Sequence, residues 1–112
     1  MEEKLVIKMS AKNCRTMTDF LVQIWPELQM PENETPSWDG FLDWIQDLSW
    51  IDAKEIQIVI DDSEYFLAND SEAKQLFFED LDYIYAFWKD CAVAGHIFGD
   101  ENGVKSVSFR FA

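Results

Sequence analysis

The apolar positions of the chain follow two kinds of pattern, short strand-like runs and longer stripes at helical spacing. Leu5-Val6-Ile7 is a short apolar, β-rich run of the kind found in buried strands. Residues 55–60 form the second predicted strand. Near the end of the sequence apolar and polar residues alternate, which predicts a third strand containing Val104, Val107, Phe109 and Phe111. Strands that are separated by helices predict a small α/β layer with a parallel sheet.

Two helices are predicted between the first and second strands. The first spans residues 17–30, is capped by the threonine at 16 or 18, and contains Pro26, which should kink or break its later turns. The second opens at Thr35-Pro36-Ser37 and runs to about residue 49. Hydroxyl side chains cap helices, and proline suits a first helical position because its missing N–H would be unpaired there.

Two further helices are predicted after the second strand. A short helix covers residues 64–68, and a long one begins at Asp70 or Ser71 with apolar residues at spacings of three and four. Gly95, Gly99 and Gly103 then indicate a loop before the last strand. We therefore expect one domain over residues 1–112, a three-stranded parallel sheet packed by about four helices.

Composition and charge narrow the classes of function. With 112 residues, 48% of them hydrophobic and 15% aromatic, the chain has enough apolar surface to form a core. Its net charge of -13 disfavours direct binding to nucleic acids and to anionic membranes. No run is apolar enough for a membrane span or a signal peptide, so we expect a cytoplasmic protein, with Cys14 and Cys91 as reduced thiols.

The negative charge is concentrated in one block of the sequence. Residues 16–53 contain eight acidic residues and no lysine or arginine. Within this block, Asp39, Asp43 and Asp47 are spaced to form one stripe on the second helix, with Gly40 beside it. Like charges at this spacing cost a helix about 0.2–0.5 kcal/mol per pair, and glycine costs about 0.5–1 kcal/mol relative to alanine. Repelling charges and a glycine on one face of a helix favour a binding surface. The alternative interpretation, a solvated face without a binding role, is not excluded by the sequence.

At these residues the chain resembles a known family, the barstar-like ribonuclease inhibitors. The resemblance rests on residues 15–20, on the turn Pro31-Glu32, and on Trp38-Asp39-Gly40-Phe41-Leu42-Asp43, which matches the pattern of the family's second helix. It implies a fold with three parallel strands and four helices, in agreement with the element order above. The loop at 33–37 lacks the family's Tyr-Gly-like run, and the segment 90–103 is longer than the family's usual connection.

The resemblance also implies a function. In the family, the second helix and the loop before it enter the active site of a small ribonuclease, where carboxylates take the places of substrate phosphates. Asp39 and Asp43 match the two family aspartates, and Asp43 matches the one that reaches deepest. The implied partner-binding residues are Asn33, Glu34, Trp38, Asp39, Gly40, Asp43 and Asp47. The implied partner is a basic ribonuclease toxin, extracellular or contact-delivered, bound 1:1 by a monomeric immunity protein without cofactor or metal.

Two alternatives come from other classes of protein. An acidic adaptor for a different basic partner would use the same surface without inhibiting a nuclease. An enzyme is disfavoured, because the chain has one histidine, His96, and lacks a glycine-rich phosphate loop or a Ser-His-Asp or Cys-His arrangement.

Overall fold

A three-stranded parallel sheet forms one layer of the molecule. The computed structural model describes residues 4–94 and 105–112, and the strands are β1 (Lys4–Ser10), β2 (Glu55–Asp61) and β3 (Ser106–Phe111). They lie in the order β1-β2-β3, and Ile58 in the central strand is paired with Ile7 on one side and Phe109 on the other. The predicted α/β class and parallel sheet are therefore confirmed, while Val104 lies outside the described residues.

In the part of the chain that the structure describes, three α-helices accompany the sheet: α1 (Met17–Glu27), α2 (Trp38–Ile45) and α3 (Ser71–Ala94). The described residues also contain two 3-10 turns, Ala11–Asn13 and Ser63–Tyr65. The number of α-helices within residues 4–94 and 105–112 is thus slightly below the expected four or so. The short helix predicted at 64–68 is only the second 3-10 turn, because the backbone is extended at Phe66 and left-handed at Leu67, with φ of 53°.

The ends of α1 are partly as the sequence predicts. The helix begins after Thr16, whose hydroxyl accepts a hydrogen bond from the Asp19 N–H at 3.2 Å. It ends at Glu27, one residue after Pro26, and not at residue 30. Pro26 has no N–H to donate, and Gln29 has a left-handed backbone with φ of 55°.

The boundaries of α2 also differ from the prediction. Ser37 is its cap, accepting a hydrogen bond from the Gly40 N–H at 3.1 Å, so Pro36 lies just outside the helix. The helix stops at Ile45, about one turn earlier than expected. Leu48 adopts a left-handed backbone with φ of 55° and is fully buried, so the chain turns there to place this side chain in the core.

The core lies between one face of the sheet and the helices. The ring of Phe20 in α1 packs edge-to-face against Phe41, Phe66 and Phe77 at centroid distances of 5.8, 5.4 and 5.5 Å. Phe41 and Ile45, on one side of α2, are fully buried. This packing holds α2 firmly and turns its opposite side towards solvent.

No helix within residues 4–94 and 105–112 is both long enough and apolar enough to cross a membrane. The predicted loop glycines Gly95, Gly99 and Gly103, together with His96, lie outside the described residues.

Candidate partner-binding site

Asp39 and Asp43 are exposed on α2, one helical turn apart and away from the buried side of the helix. Their spacing makes the two carboxylates neighbours that repel each other. Within residues 4–94 and 105–112 the one ion pair joins Lys4 to Glu55, at 3.7 Å. The two aspartates therefore have no cationic partner among the described residues, and their charge is available to another molecule.

Asp47 lies beyond the end of α2, so its predicted place in a three-residue stripe on the helix is wrong. The helix ends before it, with Gln46 as the capping residue. The side chain of Asp47 instead accepts a hydrogen bond from the Ser49 N–H at 3.2 Å, in the turn that follows α2. The acidic stripe on the helix consists of two residues.

Trp38 faces α3 and the core more than it faces solvent. Its ring stacks on Phe41 at 5.2 Å, and its indole N–H donates to the Asp80 carboxylate at 2.7 Å. This hydrogen bond holds a carboxylate of α3 beside Trp38, which directly precedes Asp39 in the sequence. Asp80 was missed by the sequence prediction. The available signal was its spacing from Phe77 and Ile84, which puts an acid on the apolar side of α3.

The loop before α2 places Glu34 on the other flank of the helix. The carboxylate of Glu34 is exposed and accepts a hydrogen bond from the Trp44 indole N–H at 3.0 Å. Asn33 is also exposed in this loop. The structure therefore holds one predicted loop residue, Glu34, against the helix that carries the two aspartates.

Gly40, which the resemblance implies as a partner-binding residue, is buried in the free protein. A Cβ at this position would lie 3.0 Å from the Ser37 Oγ, 3.2 Å from the Glu34 Oε1 and 3.3 Å from the Trp25 ring. The close approach that this glycine permits is thus made by the protein's own side chains.

These contacts gather carboxylates from three elements around α2. Asp39 and Asp43 project from the helix, Asp80 is held on α3, and Glu34 is held on the preceding loop. Among the described residues, no group of three or more histidine, cysteine or acidic side chains is arranged to hold a metal ion. What this surface can do chemically is attract and hydrogen-bond cationic groups. We call it the acidic face.

Two buried groups outside the acidic face have shifted pKa values. Burial, with a smaller contribution from Asp19, raises the pKa of the Cys14 thiol to about 11. Burial lowers the pKa of the Lys105 amine, with Asp52 opposing and Lys54 adding to the shift. The Lys105 ammonium donates to the backbone carbonyl of Ala53 at 2.8 Å, which ties the start of β3 to the segment before β2.

A comparison with known protein families agrees with the family resemblance that the sequence of α2 indicates. The family model described as barstar (barnase inhibitor) matches residues 5–100 of this chain. The chain therefore belongs to the barstar family. No curated protein and no solved structure gives a significant match to it.

Proposed function

We propose that this chain inhibits a cationic ribonuclease by placing the exposed side of α2 in the active site of the enzyme. One observation carries the proposal: Asp39 and Asp43 are exposed together on a helix that is anchored through Phe41. Neither aspartate forms an ion pair with a cationic side chain among the described residues. Membership of a family described as barnase inhibitors supports it.

Inhibition follows from the chemistry of the two binding partners. A ribonuclease must attract RNA phosphates with lysine, arginine and histidine groups, and carboxylates are anions that accept charge-assisted hydrogen bonds from the same groups. Asp39 and Asp43 would take the places of phosphates, with Asp43 reaching deepest. Because the carboxylates offer no bond to cleave, the enzyme is blocked without any reaction, and this chain needs no catalytic group of its own.

The biological role that fits this mechanism is immunity. We infer a monomeric, single-domain cytoplasmic protein of a bacterium that forms a 1:1 complex with a secreted or contact-delivered ribonuclease toxin. The net charge of -13 would speed the encounter with a basic enzyme through long-range attraction. Glu34 and Asp80 would extend the acidic face to either side of the aspartates.

The gene beside the one that encodes this chain provides the test. We expect it to encode a small basic protein, or a large toxin with a basic C-terminal domain, that kills cells unless this chain is co-expressed. Purified chain should stop RNA cleavage by that protein at a 1:1 ratio. Binding without loss of cleavage would favour the acidic adaptor instead, and RNA cleavage by the purified chain alone would overturn the proposal.

A further inference from the structure

We propose that Trp44 is a positioning residue that fixes the Glu34 carboxylate as a preformed contact for a cationic side chain of the partner, with Gly40 providing the space. This inference rests on the proposed function and concerns residues of the same acidic face. In the proposed function, Asp39 and Asp43 contact the partner directly. Trp44 and Gly40 instead act by positioning the Glu34 carboxylate.

The first observation is that Glu34 is held although it lies on an exposed loop. Its backbone N–H donates to the Pro31 carbonyl at 3.3 Å, and its Oε2 accepts from the Trp44 indole N–H at 3.0 Å. A glutamate on a loop normally samples many rotamers and loses that freedom on binding. One hydrogen bond leaves a carboxylate with further acceptor positions, so Glu34 can still bind a second donor.

The second observation is that Trp44 is itself held in place. Its ring packs edge-to-face against Trp50 at 5.6 Å. The indole N–H of Trp50 donates to the Leu28 carbonyl at 2.9 Å, and Leu28 is fully buried. The position of the Glu34 carboxylate is thus connected through two tryptophans to the core.

The third observation is the glycine at position 40. A Cβ at Gly40 would lie 3.0 Å from the Ser37 Oγ and 3.2 Å from the Glu34 Oε1, so the Glu34 carboxylate would have to move by a few tenths of an ångström. Glycine is unfavourable in a helix, and this contact gives a physical reason for it here. Gly40 and Trp44 lie one turn apart on α2, and both lie against the Glu34 carboxylate. We call these two residues the seat of the Glu34 carboxylate.

The position of this seat indicates what it binds. Gly40 and Trp44 directly follow Asp39 and Asp43 in the sequence, so Glu34 occupies the flank of α2 beside the two aspartates. An arginine of the ribonuclease is the group best suited to it, because a guanidinium presents several donors to an already bonded carboxylate. A preformed acceptor chiefly slows dissociation, whereas the total charge governs association.

A double-mutant cycle tests the coupling between the two side chains. The probes are purified barnase and the basic protein encoded beside this chain, each measured for association and dissociation rates. Trp44→Phe keeps the total charge, so we expect an unchanged association rate and a dissociation rate raised about tenfold. In the Glu34→Ala background, Trp44→Phe should cause no further change. Equal effects of Trp44→Phe in both backgrounds, or none in either, would overturn the inference.

Glu32 provides a matched control for charge, since it is exposed in the same loop. Glu32→Ala should slow association as much as Glu34→Ala does while leaving dissociation unchanged. Gly40→Ala should raise the dissociation rate because it displaces the Glu34 carboxylate, and wild-type dissociation in that variant would count against the seat. Wild-type chain that binds neither probe would instead overturn the proposed function, so the two failures can be told apart.

Discussion

At the scale of single residues, the acidic face contains local choices that do not serve stability. Asp39 and Asp43 repel each other, and Gly40 is the third residue of a helix, where it is less favourable than alanine. The sequence pattern is sufficient to predict that both aspartates are exposed, because the apolar residues Phe41 and Ile45 define the buried side of α2. Residue spacing can place Asp80 on the apolar side of α3, but its hydrogen bond from Trp38 and the close packing of Glu34 against Gly40 are tertiary contacts that the pattern does not contain.

The repulsion between the two aspartates predicts the stability of a variant. Asp43→Ala should leave the free energy of unfolding unchanged or raise it by up to about 0.5 kcal/mol, because a like charge one turn from Asp39 is removed. Urea denaturation provides the measurement. Asp82→Ala, also at an exposed position in a helix, is the control, and a loss of more than about 1 kcal/mol specific to Asp43→Ala would contradict the prediction.

The raised pKa of the Cys14 thiol predicts a pH-dependent stability. The pKa is about 11 in the folded protein against 9.0 for the ordinary thiol, so the unfolded chain loses this proton first. The contribution of Cys14 is therefore complete below pH 9 and is lost as the pH rises towards about 11. The unfolding free-energy difference between wild type and Cys14→Ala should shrink by about 2–3 kcal/mol over that window. A difference that stays constant with pH would contradict this assignment.

At the scale of helices and strands, the sequence predicts which elements exist better than where they end. The strands and the starts of α1 and α2 follow apolar periodicity and hydroxyl caps. The helix ends do not, because three non-glycine residues, Gln29, Leu48 and Leu67, adopt left-handed backbones. Leu48 and Leu67 are fully buried, so packing of the whole fold sets these turns and not local propensity. The early end of α2 is what removes Asp47 from the acidic stripe.

One aspartate connects the first turns of two helices and gives a test at this scale. The Asp70 carboxylate accepts hydrogen bonds from the Ala73 N–H of α3 at 3.2 Å and from the Met17 N–H of α1 at 3.3 Å. We expect Asp70→Ala to lower the free energy of unfolding by about 1–2 kcal/mol, because both helix starts lose an acceptor. Chemical denaturation should show this loss, and a change no larger than that of Asp82→Ala would argue against the shared cap.

At the scale of the whole molecule, charge and anchoring act together. In the proposed function, the net charge of -13 would draw a basic ribonuclease from a distance, and the core would hold α2 in place for docking. Composition predicts the first property. The second needs the tertiary structure, because Phe41 meets Phe20 of α1 only in the folded chain.

Long-range attraction predicts a strong dependence of association on salt. Screening shortens the range of a charge to about 10 Å at 0.1 M salt and about 3 Å at 1 M. The rate of association with the basic protein encoded beside this chain should fall at least about tenfold between 0.01 and 0.5 M salt, as measured by stopped-flow fluorescence of the tryptophans. A rate that stays flat over this range would show that the net charge does not steer the encounter.

The most direct test of the central proposal is calorimetric titration of the same basic protein with wild type, Asp39→Ala, Asp43→Ala and the control Asp82→Ala. Each lost charge-assisted hydrogen bond is expected to cost about 1.5–3 kcal/mol, or a ten- to hundredfold loss of affinity. We predict 1:1 binding by wild type, the greatest weakening for Asp43→Ala, a smaller one for Asp39→Ala and none for Asp82→Ala. Wild-type affinity in both Asp39→Ala and Asp43→Ala would show that α2 is not the inhibitory surface.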